Sequence, residues 1–322
     1  MKKLSICIPT YNRSGFLETL LNSLVVQIAA SGQADEIEVL VSDNCSSDDT
    51  PLIAAKFEAA IRYWRNEDNI GPDANFLKLF GQAQGSYIWL PGDDDMVRND
   101  TLNFILRMID THRFDFLYMR TSGNMRKDWR DRDAISLSNV ELLRRVNIFT
   151  TFMTSQVIRA DLIKPNIEAA RVHLGGFMAY YWIFLEALHR SSHCLVSEEK
   201  EVFPDATENT GGYSFYKVWA EAVFDVMRSS SFRQDEKSFA IMRFRMFFAL
   251  LIPITFRLRS RRAKFKFKSE NPSSGLQKYF GTGIYRPIVT LYLHLPYALL
   301  KPLNLANRLV VRIIGALRND IT

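Results

Sequence analysis

In the first hundred residues, short apolar runs alternate with longer stretches of helical period, and that alternation leaves few folds open. Leu4 to Ile8 is rich in β-branched residues and reads as a strand. From Phe16 onward, Leu17, Leu20, Leu21, Leu24, Val25 and Ile28 recur at helical spacing. Glu36 to Val41 predicts a second strand, and Pro51 to Ala60 a helix with proline in its first turn. Ile61 to Trp64 predicts a third strand, Ala74 to Gln84 a helix capped within Asn69-Ile-Gly-Pro-Asp73, and Tyr87 to Leu90 a fourth strand. The expectation is an α/β fold, a mostly parallel sheet with helices on both faces. Ligands of such sheets bind in the crevice outside the carboxyl ends of the strands. Three polar clusters fall at those ends: Thr10-Tyr11-Asn12, Asp43-Asn44 and Asp93-Asp94-Asp95.

The third cluster is chemically the sharpest. In Trp89-Leu-Pro-Gly-Asp-Asp-Asp95 an apolar strand stops at Pro91-Gly92 and three carboxylates follow in succession. Adjacent acids beside apolar chain are costly unless neutralised, and Mg²⁺ or Mn²⁺ is the usual partner of carboxylate oxygen. Mg²⁺ takes one or two carboxylates together with substrate phosphates, so a metal–diphosphate site is one reading. A solvated acidic turn, capping a helix that begins near Asn99 to Leu102, is the other. The coincidence of three polar clusters at strand ends favours the first.

Further along, Asp115 to Arg120 and Phe152 to Ile158 predict strands, and Ser138-Asn-Val-Glu141 is a capping box opening a short helix. Gly175 to Leu188 predicts an aromatic-rich helix, Cys194 to Phe203 a strand-like segment and Pro204 to Gly212 a polar loop. Helices follow near Ser214 to Arg228 and Glu236 to Arg259. The expected organisation is a catalytic domain over residues 1–210 and a helical, basic region over 211–322. Cys7, Cys45 and Cys194 lie far apart with no CxxC spacing, which argues against a disulfide scaffold or zinc site and for a reducing compartment. The N-terminal apolar stretch ends at Pro9, too short for a signal peptide.

The net charge of +6 conceals a polarity. Residues 241–319 hold fifteen Lys or Arg and a single acid, Glu270, whereas residues 1–240 hold twenty-six basic and thirty-three acidic residues. Phe256 to Lys268 alone carries seven cations. Ile284 to Arg318 is mainly apolar, with Arg286, Lys301, Arg308, Arg312 and Arg318 and no acid. Pro287, Pro296 and Pro302 interrupt it, and the apolar Met246 to Ile254 falls short of the ~20 residues needed to span a bilayer. A basic amphipathic surface lying on an anionic membrane is the expectation, in preference to nucleic acid. The alternative is a core helix pair with solvated cations.

Ser5-Ile-Cys-Ile-Pro-Thr-Tyr-Asn-Arg13, Val41-Ser-Asp-Asn-Cys-Ser-Ser-Asp-Asp-Thr50, Asn69-Ile-Gly-Pro72 and Gly92-Asp-Asp-Asp95, in that order, resemble glycosyltransferase family two with its GT-A, Rossmann-like fold. The resemblance covers residues 1 to about 110. The Asn-Ile-Gly-Pro-Asp-x-Asn-Phe and Gly-x-Asp-Asp forms are similar to the abequosyltransferase-like branch, which acts on O-antigen and related surface polysaccharides. The resemblance implies a nucleotide-sugar donor, a lipid-linked glycan acceptor and a place on the cytoplasmic face of the bacterial inner membrane. It puts Pro9, Thr10, Tyr11, Asn12 and Arg13 along the nucleotide pocket and Asp43, with Asn44, at the nucleobase. It puts Asp94 near ribose and diphosphate, and Asp95, with Asp93, on Mg²⁺ or Mn²⁺. The physics agrees: a carboxylate can accept from a base N–H, and a diphosphate-bridging metal offsets charge on the leaving group.

Two departures stand out. The family often has an acid where this chain has Gly92. The acceptor-side Glu-Asp pair, source of the base in inverting members, is absent from Phe177 to Glu186. Glu186 is the sole acid in that stretch, and Asp205 and Glu208 in the polar loop are the other candidates; each reads equally as an ordinary paired or loop acid. His173, His189 and His193 lack metal-ligand spacing. Two rivals remain. A nucleotidyltransferase would need a Gly-rich basic loop after the first strand, where only Arg13 is offered. A noncatalytic membrane-associated binding protein would fit a decayed site.

Overall fold

The computed structural model describes residues 2–120, 134–200, 202–204, 213–259 and 272–317. The N-terminal alternation is realised as a parallel arrangement of β1 (Leu4–Thr10), β2 (Ile37–Asp43), β3 (Arg62–Arg65) and β4 (Tyr87–Trp89). These are linked by α1 (Ser14–Ser31), α2 (Thr50–Lys56) and α3 (Pro72–Gln82). β1 is buried along its whole length, as a parallel strand covered on both faces must be. Pro9 lies in this central strand, where a missing N–H is normally excluded. It is tolerated because β4 pairs only with Leu4 to Ile6, so that at Pro9 the strand has β2 alone beside it.

The second half of the sheet is mixed. After β5 (Asp95–Val97) and α4 (Thr101–His112) come β6 (Phe116–Arg120), β7 (Ala134–Leu137), α5 (Asn139–Val146), β8 (Gln156–Arg159), α6 (Ala160–Ile163), α7 (Ala179–Arg190), β9 (Cys194–Lys200) and β10 (Val202–Pro204). The sheet order is β3-β2-β1-β4-β8-β6-β9-β7, with β8 antiparallel to both neighbours and β7 antiparallel to β9. The expected capping box at Ser138 and Glu141 is present with both of its hydrogen bonds. The stretch Phe152 to Ile158 becomes a strand only from Gln156, because Met153–Ser155 forms a 3-10 turn. The acidic triplet is not a helix-capping turn: Asp95 opens β5, which pairs antiparallel with β10, and α4 begins only at Thr101 behind Asp100.

The chain divides near residue 205 into two compact units. In the second, α8 (Val223–Ser229) follows a π-helical stretch at Lys217–Ala222. Then α9 (Glu236–Arg245) and α10 (Ile252–Leu258) join through another at Met246–Leu251, and α11 (Pro272–Phe280), α12 (Tyr285–His294) and α13 (Tyr297–Leu317) follow. Phe247, Phe280 and Tyr285 form its aromatic centre, with ring centroids 4.9 to 5.4 Å apart. Met246 to Ile254 is therefore no short isolated stretch. It belongs to the 23-residue helix Glu236–Leu258, long and apolar enough to cross a membrane by length and composition. Met242, Met246, Phe247, Leu251 and Ile252 of that helix are buried. Nor does Pro302 break the chain: it sits inside α13, while Pro296 separates α13 from α12. Of the basic run Phe256 to Lys268, the part from Ser260 onward lies outside the described residues, as do Asp205 and Glu208.

Candidate active site

The site is built where β1 and β4 end. Thr10 is buried, pairs in register with Asp43, and its carbonyl accepts from Asn44 N–H at 2.9 Å. Tyr11 is exposed. Asn12 takes a left-handed φ of 53°, which asparagine tolerates better than most residues. Its N–H donates to Ser46 Oγ at 2.8 Å, and its Oδ1 accepts from Ser47 N–H at 2.7 Å. This turn delivers Arg13, the residue before α1, onto the acidic triplet. One guanidinium nitrogen, Nη1, donates to Asp93 Oδ1 at 3.0 Å and to Asp94 Oδ2 at 2.7 Å.

The three aspartates occupy different surroundings. Asp93 is buried, and burial raises its carboxyl to about 6, with Arg13 pulling down and Asp94 pushing up. Asp94 is partly exposed. Asp95 is raised to about 7, again chiefly by burial, against the hydrogen bond it accepts from the Thr154 hydroxyl. Thr154 is fully buried and ties the whole turn: its hydroxyl accepts from Gly92 N–H at 2.8 Å and its carbonyl from Trp89 Nε1 at 2.8 Å. Gly92 is needed there. A Cβ on it would stand 2.7 Å from Asp95 Oδ2 and 3.2 Å from Asp94 Oδ1. An acidic side chain at this position would crowd the same two carboxylates.

Asp43, at the end of β2, is wholly buried. Its Oδ1 accepts from Ser46 N–H at 2.8 Å and its Oδ2 from the Tyr63 hydroxyl at 2.7 Å. Asn44 donates to Asn69 Oδ1 at 2.8 Å, and its Oδ1 accepts from Ile70 N–H at 3.0 Å. These bonds lace the loops after β1, β2 and β3 into one rim over the strand ends.

The cap of α3 is Gly71, inside the expected Asn69 to Asp73 stretch. The Asp73 carboxylate reaches the start of α7, accepting from Phe177 N–H at 2.8 Å and Ala179 N–H at 3.0 Å. Phe177 holds a left-handed φ of 63°, a conformation a bulky residue keeps only when its neighbours hold it there. Glu186 lies two turns further along α7, buried in the body of that helix. No sequence signal marks Thr154, which reads as one more residue of the strand expected over Phe152 to Ile158, and none marks Asp73 as acting over a hundred residues away.

Divalent metal fits this acidic cluster only with help. Among the described residues, no group of three or more His, Cys, Asp or Glu gathers for a metal. Asp93 Oδ2, however, is buried without a hydrogen-bond partner. Burial holds the carboxyls of Asp93 and Asp95 well above the usual carboxylate range, Asp93 even with Arg13 beside it, so added positive charge would favour their ionised forms. A donor set of two carboxylates, completed by diphosphate oxygens, is what Mg²⁺ accepts.

Residues 5–164 match the family model of glycosyl transferase family 2. The chain carries a family 2 glycosyl transferase domain. Over 156 residues, 44% of this chain, the family 2 domain is 39% identical to the abequosyltransferase RfbV of Salmonella typhimurium, in keeping with the abequosyltransferase-like branch. The match covers 46% of RfbV, so the chain spans about half the length of that relative. The fold resembles that of Staphylococcus aureus TarS residues 1–349 in complex with UDP-GlcNAc, at TM-score 0.62 and 19% identity over 87% of this chain and 80% of that one. It also resembles the mannosyltransferase PcManGT from Pyrobaculum calidifontis in complex with GDP-Man and Mn²⁺, at TM-score 0.55 and 14% identity over 99% and 87%. Identities this low establish the GT-A fold and nothing finer.

Proposed function

We propose that this chain is a glycosyltransferase that moves a sugar from a nucleoside-diphosphate donor onto a hydroxyl of a growing surface glycan carried on a lipid. The observation that carries the reading is the convergence of Arg13 and the aspartate triplet at the carboxyl ends of β1 and β4. It is supported by the family of the domain and by the nucleotide sugars bound in TarS and PcManGT. The donor would lie under the rim of Pro9 to Asn12 and Asn44, with Asp43 beneath the nucleobase and Asp94 toward ribose and diphosphate. Asp95, with Asp93, would hold Mg²⁺ or Mn²⁺. When bound, such a metal supplies positive charge to the diphosphate as the bond to the anomeric carbon breaks.

Arg13 has the complementary task. It neutralises Asp93 and Asp94 in this state and would meet the phosphate oxygens of a donor bound against the triplet. Thr154 fixes the Asp95 carboxylate so that its geometry is set before the donor arrives. The acceptor hydroxyl attacks the anomeric carbon and gives up its proton to a base, for which Glu186, Asp205 and Glu208 are the candidates. A cytoplasmic position at the inner face of the bacterial inner membrane accords with the strongly basic residues 241–319.

The decisive test is Asp95→Ala assayed by donor hydrolysis and by transfer in Mn²⁺. The expected result is a loss on the order of 10²-fold or more in rate, with circular dichroism and melting temperature close to wild type. Turnover near the wild-type rate in a folded Asp95→Ala protein overturns the assignment.

A further inference from the structure

Helix α13 is packed with its polar side inward. Leu300 is buried, but so are Asn304 and Asn307, each only 6% exposed. Asn307 Nδ2 donates to the Phe248 carbonyl at 2.9 Å, while the Oδ1 atoms of both asparagines are buried without a partner. The outward side carries the leucines instead: Leu299 is 56% exposed, Leu305 61% and Leu309 51%, with Val310 beside them at 37%. At 3.6 residues per turn, Leu299, Leu305, Leu309 and Val310 fall within one stripe. Lys301 and Arg308, seven residues and so about two turns apart, run together along one edge of it and are exposed.

A helix that folded only to complete this unit would turn round, since burying leucine is favourable and burying an unpaired amide oxygen is costly. Its observed orientation points to an apolar surrounding outside the chain. Charge decides which. From Ile284 to Leu317 the sequence contains no acid, and the exposed stripe is flanked by cations alone. An apolar strip edged with Lys and Arg matches the boundary between acyl chains and anionic headgroups. A contiguous exposed apolar patch of this kind marks an interaction surface.

We propose that the outward stripe of α13, Leu299, Leu305, Leu309 and Val310 with Lys301 and Arg308, is a docking surface for an anionic phospholipid bilayer. The stripe lies in the plane of the headgroups; leucines enter the acyl boundary and the two cations engage lipid phosphates. This surface is inferred from its own side chains and holds whether or not the transferase reading does, so it is tested without donor or acceptor.

The experiment is co-sedimentation of the full chain with vesicles of phosphatidylglycerol and phosphatidylcholine, compared with phosphatidylcholine alone. Two variants accompany it: Leu305→Ser with Leu309→Ser, and Lys301→Gln with Arg308→Gln. All four side chains are exposed, so the fold is expected to survive, and melting temperature verifies this. Wild type is expected to prefer the anionic vesicles. The charge variant should bind them roughly ten- to thirty-fold more weakly, from two cations near the surface. The leucine variant should lose at least about tenfold, by the area of apolar surface removed, and its residual binding should be more steeply salt-dependent. Leucine-variant binding equal to wild type overturns the proposal, because the basic run before residue 269 would then account for all attraction. Absence of binding to anionic vesicles at low salt overturns it too. So does a dimer by light scattering that the leucine variant dissociates with vesicle binding unchanged, for the stripe would then face a second copy.

Discussion

Gly92 shows how a single missing side chain shapes the acidic cluster. The turn that brings Asp94 and Asp95 together is so close that a methyl group on Gly92 would sit 2.7 Å from Asp95 Oδ2. That oxygen is the one Thr154 holds, so a side chain at 92 displaces the carboxylate and breaks its fixed hydrogen bond together. Gly92→Ala is therefore expected to lower turnover by about tenfold or more, as misplacement of a fixed polar group does. The accompanying loss of stability should be about 1 to 3 kcal/mol, the usual cost of overpacking. Steady-state rates with chemical denaturation check both. Unchanged rate and stability would show that the turn opens freely and that its tightness has no bearing on the chemistry.

At the scale of elements, the sheet depends on a carboxylate remote from the site. Asp115, just before β6, pairs with Arg159 at the end of β8 at 2.6 Å. It also accepts from Ser192 N–H at 2.7 Å and His193 N–H at 3.1 Å in the turn leading to β9. Burial acts to raise its pKa, but the Ser192 and His193 bonds and Arg159 outweigh it, so the carboxyl titrates below its ordinary value. The charged form is thus favoured in the folded state. Its contribution is present above the unfolded value of about 3.9 and is lost as pH falls through the lower folded value. Asp115→Ala should cost about 1.5 to 3 kcal/mol at pH 7, and the gap from wild type should narrow as pH drops below about 4. Melting curves from pH 7 to pH 3 read it directly; a gap constant with pH would mean that packing, not charge, ties these strands. The same elements show what the sequence could and could not disclose. β1, β2 and β4 were legible because each is an apolar run that ends abruptly in polar residues. β5 and β7 were not, being three and four residues long and each paired on one side with a distant strand. The antiparallel insertion of β8 between β4 and β6 likewise depends on long-range pairing, which local pattern does not encode. The aspartate triplet was visible from composition alone, whereas Thr154 and Asp73 act through hydrogen bonds to residues far off in sequence.

At the scale of the whole chain, the two units have separate interiors. The first is centred on the sheet, with Trp89, Leu4, Ile6 and Leu117 fully buried and α1 and α4 covering it. The second is centred on Phe224, Phe247 and Phe280. The residues proposed to hold the donor, from Pro9 to Asp95, all lie in the first. A ligand that binds the native state alone stabilises it by RT ln(1 + [L]/Kd), about 2.7 kcal/mol at a hundredfold excess over Kd. For a unit of some two hundred residues this corresponds to an upward shift of roughly 5 to 10 °C. Differential scanning calorimetry of the full chain with a nucleoside diphosphate and Mn²⁺ should therefore raise one transition by that amount and leave a second within about 2 °C of its position. UDP, GDP, CDP and dTDP would each be tried, since the nucleobase that produces the shift identifies the donor class. The Asp95→Ala protein should show the smaller shift of nucleotide binding without metal. A single transition that moves as a whole would show that the two interiors unfold together. No shift with any of the four nucleotides would remove the support for donor binding at the carboxyl ends of β1 and β4.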